Sequence, residues 1–289
     1  MKEMAYKIEK DYKHVYYFLK DMDFSEAFIT LLRKNDKSIM INNSFANTKS
    51  PLSSGDILKI ALDLKEKSSF LSNNEPIDIV FEDDYILVVN KPSGVSCSPS
   101  RSHYSQNLAG SILGYMQQKD PNFVLRMKNR LDKDTAGLVI VAKDILTYNK
   151  LENIDKTYHA ICSGIIDKNL TLDFKIKTIV KDNINELKRV VSEDGKSAKT
   201  FVTPIKKLNN STLLSLKLEN GRTHQIRVHL SHINHPLIGD EIYGKKSKFI
   251  SHTALICDEI SFLHPTTKKK INLKINFPKD FENLIKILS

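Results

Sequence analysis

Cysteine is scarce in this chain, and the three that occur, Cys97, Cys162 and Cys257, lie far apart with no CxxC pair. That spacing speaks against a disulfide framework and a thiolate metal site, and it fits thiols kept reduced in the cytosol. Long hydrophobic runs are missing as well. No eighteen consecutive apolar residues occur, so a membrane-spanning helix is not expected. The opening MKEMAYKIEKDYKH lacks the apolar core of a secretory signal. No internal repeat is visible. The expectation is a cytoplasmic protein without membrane contact, with a monomer as the default state.

Positive charge, by contrast, is in excess. The 289 residues carry 44 Lys and Arg against 34 Asp and Glu, a net charge of +10. Residues 1–70 hold +2 of this and the remainder +8. A solvated Lys-rich surface is one explanation; a polyanion held through phosphate contacts is the sharper one. The length and a hydrophobic content of 40 % allow one large domain and a small one, each with a core.

The pattern divides the chain accordingly. Residues 1–65 read as a small module. Tyr12, Val15, Tyr16 and Leu19 fall at helical spacing, as do Phe28, Leu31 and Leu32 behind a Ser25 cap. A strand at Ile39–Ile41, an Asn42-Asn43 turn and a strand in ILKIAL after Gly55-Asp56 follow. Residues 66–76, polar and rich in Ser and Asn, read as a linker. Residues 77–289 are dominated by strand signals: PIDIVFEDDYILVVNKPSG as two strands around an acidic turn, then KTYHAICSGII, KTFVTPIKKL and LLSLKL. Helical spacing is sparser, from Leu108 to Met116 and in a segment opened by Thr223 with Ile226, Leu230 and Ile233 on one face, stopped by Pro236. Strands without regular βαβ alternation give an α+β class with a mostly antiparallel sheet.

Four clusters can carry chemistry. In NRLDKDTAGLVIVAKD, residues 129 to 144, Arg130, Asp132 and Asp134 stand at the mouth of a buried strand running from Gly137 to Ala142. A carboxylate there is ionised at neutral pH and open to a substrate, as base or nucleophile, or it merely caps a local N–H. In NGRTHQIRVHLSHINHPLIGD, Arg227 lies on the first turn of a helix and can hold a carboxylate bidentately. His224, His229, His232 and His235 do not repeat the HExxH spacing, so no metal is expected. Lys156-Thr157-Tyr158 offers a tyrosine that is either core or a stacking surface. Lys188-Arg189, Lys196, Lys199, Lys245, Lys246 and Lys248 are solvated or touch phosphate.

These residues carry a resemblance. RLDKDTAGLVIVAKD resembles the signature of the RluA/RluD family of pseudouridine synthases, roughly HRLDxxTSGLLLxAK. EDDYILVVNKPSG, KTYHAICSG, GRTHQIRVHLSHINHPLIGDEIYG, HTALICDEISFLHPTT and NFPKDF are similar to further family segments in the same order, over residues 77 to 281. The amino-terminal module, ending in PLSSGDILKI, is similar to the S4 RNA-binding domain. The resemblance implies isomerisation of uridine to pseudouridine within RNA, without metal or organic cofactor. Asp132 falls on the catalytic aspartate, which attacks C6 of the base or C1′ of the ribose. Tyr158 falls on the tyrosine that packs against the uracil and can remove a proton, and Arg227 on the arginine paired with the aspartate. Arg130 falls on an arginine that holds RNA open around a flipped base; Lys156, Arg222, His224, Gln225 and Lys196 are the other candidates for RNA contact. Asp134 sits at a variable position. Asn129 stands where the family usually has His, and Ala136 where it usually has Ser. Ribosomal RNA is the expected partner; tRNA, or a vestigial RNA-binding assembly factor, are the alternatives.

Overall fold

The computed structural model describes residues 3–22, 24, 26–35, 37–61, 71–99, 106–180 and 187–289. The Ser25 cap and the first part of the linker lie outside them.

The amino-terminal unit comprises β1 (Glu3–Lys7), α1 (Val15–Asp21), α2 (Glu26–Arg33), β2 (Ile39–Ile41), β3 (Ser44–Ala46) and β4 (Ile57–Ala61). Its four strands form an antiparallel sheet in the order β1-β4-β2-β3. Asn42 and Asn43 turn the β2–β3 hairpin with φ of 50° and 66°, the left-handed pair that a two-residue turn of this kind requires and that Asn tolerates. Val15, Phe18 and Leu19 of α1 and Ile29 and Leu32 of α2 close a separate apolar core over the sheet. Tyr12 departs from the helical expectation. Its backbone pairs in both directions with Leu52, N to O at 2.8 and 3.0 Å, which holds it extended ahead of α1.

The larger unit is built on β5 (Asp78–Glu82), β6 (Ile86–Lys91), α3 (Leu108–Gln117), β7 (Arg126–Met127), β8 (Ala136–Ala142), α4 (Ile145–Lys150), β9 (Asp155–Ser163), β10 (Leu170–Asp173), β11 (Ile176–Val180) and β12 (Leu187–Val191). It continues with β13 (Lys199–Leu208), β14 (Ser211–Leu218), α5 (Gln225–His232), β15 (Leu255–Leu263), β16 (Lys270–Lys274) and α6 (Lys279–Leu288). The main sheet runs β10-β13-β14-β9-β15-β8-β6-β5, with β16 on β15 and β7 on β8; β11 and β12 form a separate hairpin. Every pairing is antiparallel except β15 with β8. The class is α+β with a mostly antiparallel mixed sheet.

β8 sits near the middle because all seven of its residues are apolar and all are buried. Each Val, Leu or Ile so placed contributes about 1.5–3 kcal/mol of burial. Where β8 begins, Gly137 has φ 122°, and a Cβ there would lie 2.2 Å from the Cys257 carbonyl oxygen. Only glycine allows β8 and β15 to meet that closely. Cys257 is also the register partner of Tyr158 on β9. The same close approach therefore brings the loop before β8 to the side of Tyr158.

Two further helices complete the fold. α6 buries Phe281 and Leu284 in an apolar cluster with Ile161, Leu213 and Ile256. α4 opens on Asp144, whose carboxylate accepts the Leu146 and Thr147 N–H groups at 2.9 and 2.8 Å. It also meets the amino-terminal unit: Leu146 joins that unit's core, and Lys150 lies over the Phe24 ring and donates to the Tyr6 hydroxyl at 3.2 Å. Asn73, in the segment expected to be a linker, bridges the Asn107 carbonyl and the Ser111 hydroxyl at the start of α3.

Candidate active site

The loop of residues 128–135 is pinned at both ends. Asn129 reaches into β8, donating from Nδ2 to the Leu138 carbonyl at 3.0 Å and accepting the Ile140 N–H at 2.8 Å. The departure from histidine thus has a structural role of its own. Ala136 is buried among Ile161, Ile256 and Phe281. At the other end lies Lys91, fully buried at the end of β6. Its ammonium donates to the carbonyls of Pro92, Val95 and Lys133 at 2.8, 2.7 and 3.0 Å. Burial pushes this lysine down to about 8, and the nearby Cys97, Asp134 and Asp132 act in the opposite direction. The Leu131 N–H finds the Cys97 sulfur at 3.3 Å. Asp132, next in the chain, is thereby held on a fixed backbone with its side chain 23 % exposed.

Opposite it stands α5. The helix opens on His224, not Thr223, and His224 has a left-handed backbone with φ 58°. Ile226 and Leu230 face the core, and Ile233 follows as the closing residue. This turns Arg227, 3 % exposed, toward the loop, with Nη1 3.8 Å from Asp132 Oδ2. The stronger partner of Arg227 is another residue. Its Nε and Nη2 donate to the two oxygens of Asp240 at 2.7 and 2.8 Å, and Asp240 also accepts the N–H groups of Ile242 and Tyr243 at 3.0 and 3.1 Å. Burial acts to discharge both members. The fork of hydrogen bonds outweighs it, raising the Arg227 pKa and lowering that of Asp240. Asp240 belongs to the site although the sequence reading passed over it.

The cleft between loop and helix has a volume of about 720 Å³ and contains Asp132, Tyr158, Arg227, Arg130, Lys156, Arg222, His224 and Gln225 in its lining. The volume lies in the range of small-ligand sites. Tyr158 is buried; burial, then the neighbouring Cys257 and Asp132, push its phenol well above the ordinary value. Arg130 is exposed at the rim. Arg222 donates from Nε to the Ser197 carbonyl at 3.0 Å. Gln225 is turned inward: only 2 % exposed, its amide donates to the Lys199 carbonyl and Thr200 hydroxyl and accepts the Arg222 N–H, so it braces the turn instead of presenting a free group. Lys196 lies apart, in an adjoining cleft of about 520 Å³ lined also by Lys177 and Arg189, which shares Gly221, Arg222 and Thr223 with the first.

The remaining histidines are individually employed. His229 bonds Thr200 and the Phe174 carbonyl at 3.0 and 2.9 Å, His235 the Ser163 carbonyl at 2.8 Å, and His232 packs on Phe174. Among the described residues no group of three or more His, Cys, Asp or Glu side chains is arranged to hold a metal. No helix there is long and apolar enough to cross a membrane.

A carboxylate beside a buried guanidinium in a basic cleft can attack an electrophilic carbon of a bound polyanion. Comparison with known proteins gives this chemistry its class. Residues 85–232 match the family described as RNA pseudouridylate synthase, and the chain belongs to that family. It is an RNA pseudouridine synthase, an isomerase that acts on uridine in RNA. Among its relatives, the uncharacterized RNA pseudouridine synthase YjbO of Bacillus subtilis is 33 % identical, over 92 % of this chain and 96 % of that protein. The ribosomal large subunit pseudouridine synthase D of Buchnera aphidicola is also 33 % identical, over 81 % and 79 %. The fold is that of the human RNA pseudouridylate synthase domain containing 1, at 21 % identity and a TM-score of 0.57, covering 72 % of this chain and 86 % of that one.

Proposed function

We propose that this synthase modifies ribosomal RNA and that Asp132 is its nucleophile. The observation that carries the nucleophile is the Asp132 carboxylate in the main cleft, 3.8 Å from the buried Arg227. The carboxylate adds to C6 of the base or to C1′ of the ribose. The N1–C1′ bond breaks, the base turns, C5 bonds to C1′, the bond to Asp132 breaks with its electron pair returning to the carboxylate, and the C5 proton leaves while N1 gains one. Tyr158 packs against the uracil and handles the C5 proton. Arg227 sets a buried positive charge beside Asp132, 3.8 Å from its carboxylate. The target base must leave its stack to reach Asp132, and Arg130 at the rim suits holding the opened strand. Lys156, Arg222 and Lys196 contribute positive charge along the path of the backbone, whereas Gln225 acts by shaping the turn.

The ribosomal target draws support from relatives named for the large ribosomal subunit in Buchnera aphidicola and Neisseria meningitidis. We read the amino-terminal unit, residues 1–65, as an S4-like RNA-binding module, joined by residues 66–76 to a catalytic domain of residues 77–289. We read the protein as a cytoplasmic monomer.

Carbodiimide mapping of pseudouridine in RNA from cells with and without the gene tests the target. A ribosomal site that vanishes in the deletion and returns with the wild-type gene, but not with Asp132→Asn, supports the whole reading. A vanishing site confined to tRNA replaces the substrate. No vanishing site leaves a binding-only assembly factor, and full activity of Asp132→Asn removes the proposed nucleophile.

A further inference from the structure

Both nitrogen neighbours of the Asp132 carboxylate face the same oxygen. Arg227 Nη1 is 3.8 Å from Oδ2 and His224 Nε2 is 3.9 Å from it. The carboxylate has no other side-chain partner among the described residues. Whether the histidine nitrogen presents a hydrogen or a lone pair to that oxygen is set by what its other nitrogen does.

His224 Nδ1 lies 2.9 Å from the Tyr243 hydroxyl. That hydroxyl already accepts the Arg189 backbone N–H at 3.1 Å. If Nδ1 also donated to it, three hydrogens would crowd one oxygen, and the phenolic proton would have no acceptor among the described residues. A partly buried phenol avoids that by donating. The geometry of the helix start agrees. His224 holds a left-handed backbone, a conformation that is costly for a residue other than glycine, yet its side chain makes no capping hydrogen bond. The ring is instead spent between Tyr243 and Asp132.

We propose that the Tyr243 hydroxyl donates to His224 Nδ1 and fixes the ring as the neutral Nε2–H tautomer, making His224 a positioning residue. With Arg227 it brackets Oδ2 of Asp132 and leaves Oδ1 as the attacking oxygen. The charges around the ring are mixed: burial and the cations Arg227 and Arg189 disfavour the imidazolium, while Asp132 and Asp240 favour it. Protonation of His224 would convert a neutral bracket into a second cation on the nucleophile and blunt its attack. The chemical consequence rests on Asp132 being the nucleophile; the tautomer does not.

Two measurements on the full chain separate these. With histidine labelled by nitrogen-15, two-bond proton–nitrogen correlations at neutral pH are expected to show His224 protonated at Nε2 and bare at Nδ1. In Tyr243→Phe the same ring is expected as a tautomer mixture. An Nδ1–H tautomer or an imidazolium in the native protein overturns the proposal, whatever the RNA substrate proves to be. The second is the pH profile of single-turnover isomerisation, read as tritium released from C5-labelled uridine in transcribed ribosomal RNA. Its acid limb is expected to move up by about one unit in Tyr243→Phe, the shift produced by losing one hydrogen bond to the neutral ring. His224→Gln, whose amide N–H can stand near Nε2, is expected to retain more turnover than His224→Ala. An unmoved limb together with an unmoved tautomer overturns the proposal. Full activity of Asp132→Asn overturns the nucleophile alone and leaves the nitrogen spectra to decide the tautomer.

Discussion

Asp240 holds Arg227 through Nε and Nη2 and so leaves Nη1 as the nitrogen that faces Asp132. The guanidinium is thereby oriented before any RNA arrives, and its charge is shared between a permanent partner and Asp132. Such an arrangement stabilises developing charge without reorganisation.

Removing the permanent partner should be severe. Asp240→Asn leaves a buried guanidinium with a neutral neighbour, and loss of one member of a buried pair costs about 3–5 kcal/mol. We expect a large fall in the urea midpoint and in turnover. Acid should act on the same pair in the wild type. The native Asp240 pKa lies below its ordinary value, so the unfolded chain takes up its proton first as pH falls. The contribution of the pair is present above the ordinary carboxylate range, near ~3.9, and is lost as pH falls through the lower native value. Acid titration of stability, wild type against Asp240→Asn, measures it.

Lys91 predicts a rise of stability with pH too, but in the alkaline range. Its native pKa is about 8, while an unfolded lysine holds its proton to ~10.4. Between those values the unfolded state binds more protons, so the Lys91 contribution to stability rises with pH. In Lys91→Met this rise should vanish. The same variant strips three carbonyls of their donor, and we expect a loss of about 3 kcal/mol at neutral pH, the order found when hydrogen bonds to a charged group are broken. Urea unfolding from neutral to alkaline pH tests both parts.

Legibility in the sequence followed the kind of interaction involved. Asp132, Tyr158 and Arg227 stood out because each sits in a motif whose local pattern also sets its secondary structure, and the structure gathers all three into one cleft. Asp240 and Tyr243 lay within a quoted stretch yet passed unnoticed. Their roles depend on side-chain contacts across a helix, and no spacing rule reports such contacts. Lys91 carries no signal in the sequence, since residue type alone does not announce burial. Gln225, a candidate for RNA contact, lines the cleft but has its amide claimed by the buried Thr200 and the Lys199 carbonyl, contacts that residue type does not report. The short α4 has too few residues for a period to emerge. α6 does show Phe281 and Leu284 at helical spacing, a signal that was present and unused.

Asn129 gives a prediction that separates loop rigidity from charge. Its two amide hydrogen bonds are with backbone groups of β8, and both it and Ile140 are buried. Asn129→Ala strands one donor and one acceptor, each costing about 1–3 kcal/mol. The expected outcome is a lower melting temperature and slower isomerisation with unchanged net charge, and therefore an unchanged salt slope of RNA binding. A changed slope would mean that Asn129 acts on the RNA directly.

Tyr158 raises the question of where the C5 proton goes. Burial pushes the phenol well up, so it enters the reaction carrying its own proton. It can take the C5 proton only by passing that proton on in the same event, and the Asp132 carboxylate is near enough to be felt electrostatically. Tyr158→Phe keeps the ring that we propose packs against the uracil and deletes the proposed relay. We expect RNA affinity within a few-fold of wild type and turnover lower by about 10²–10⁴, the usual worth of a positioned acid or base. The rate in the wild type should also show no limb at the ordinary tyrosine value, because the free phenolate is never the reactive form. Turnover of Tyr158→Phe equal to wild type would reduce the residue to a platform and assign the proton to another group.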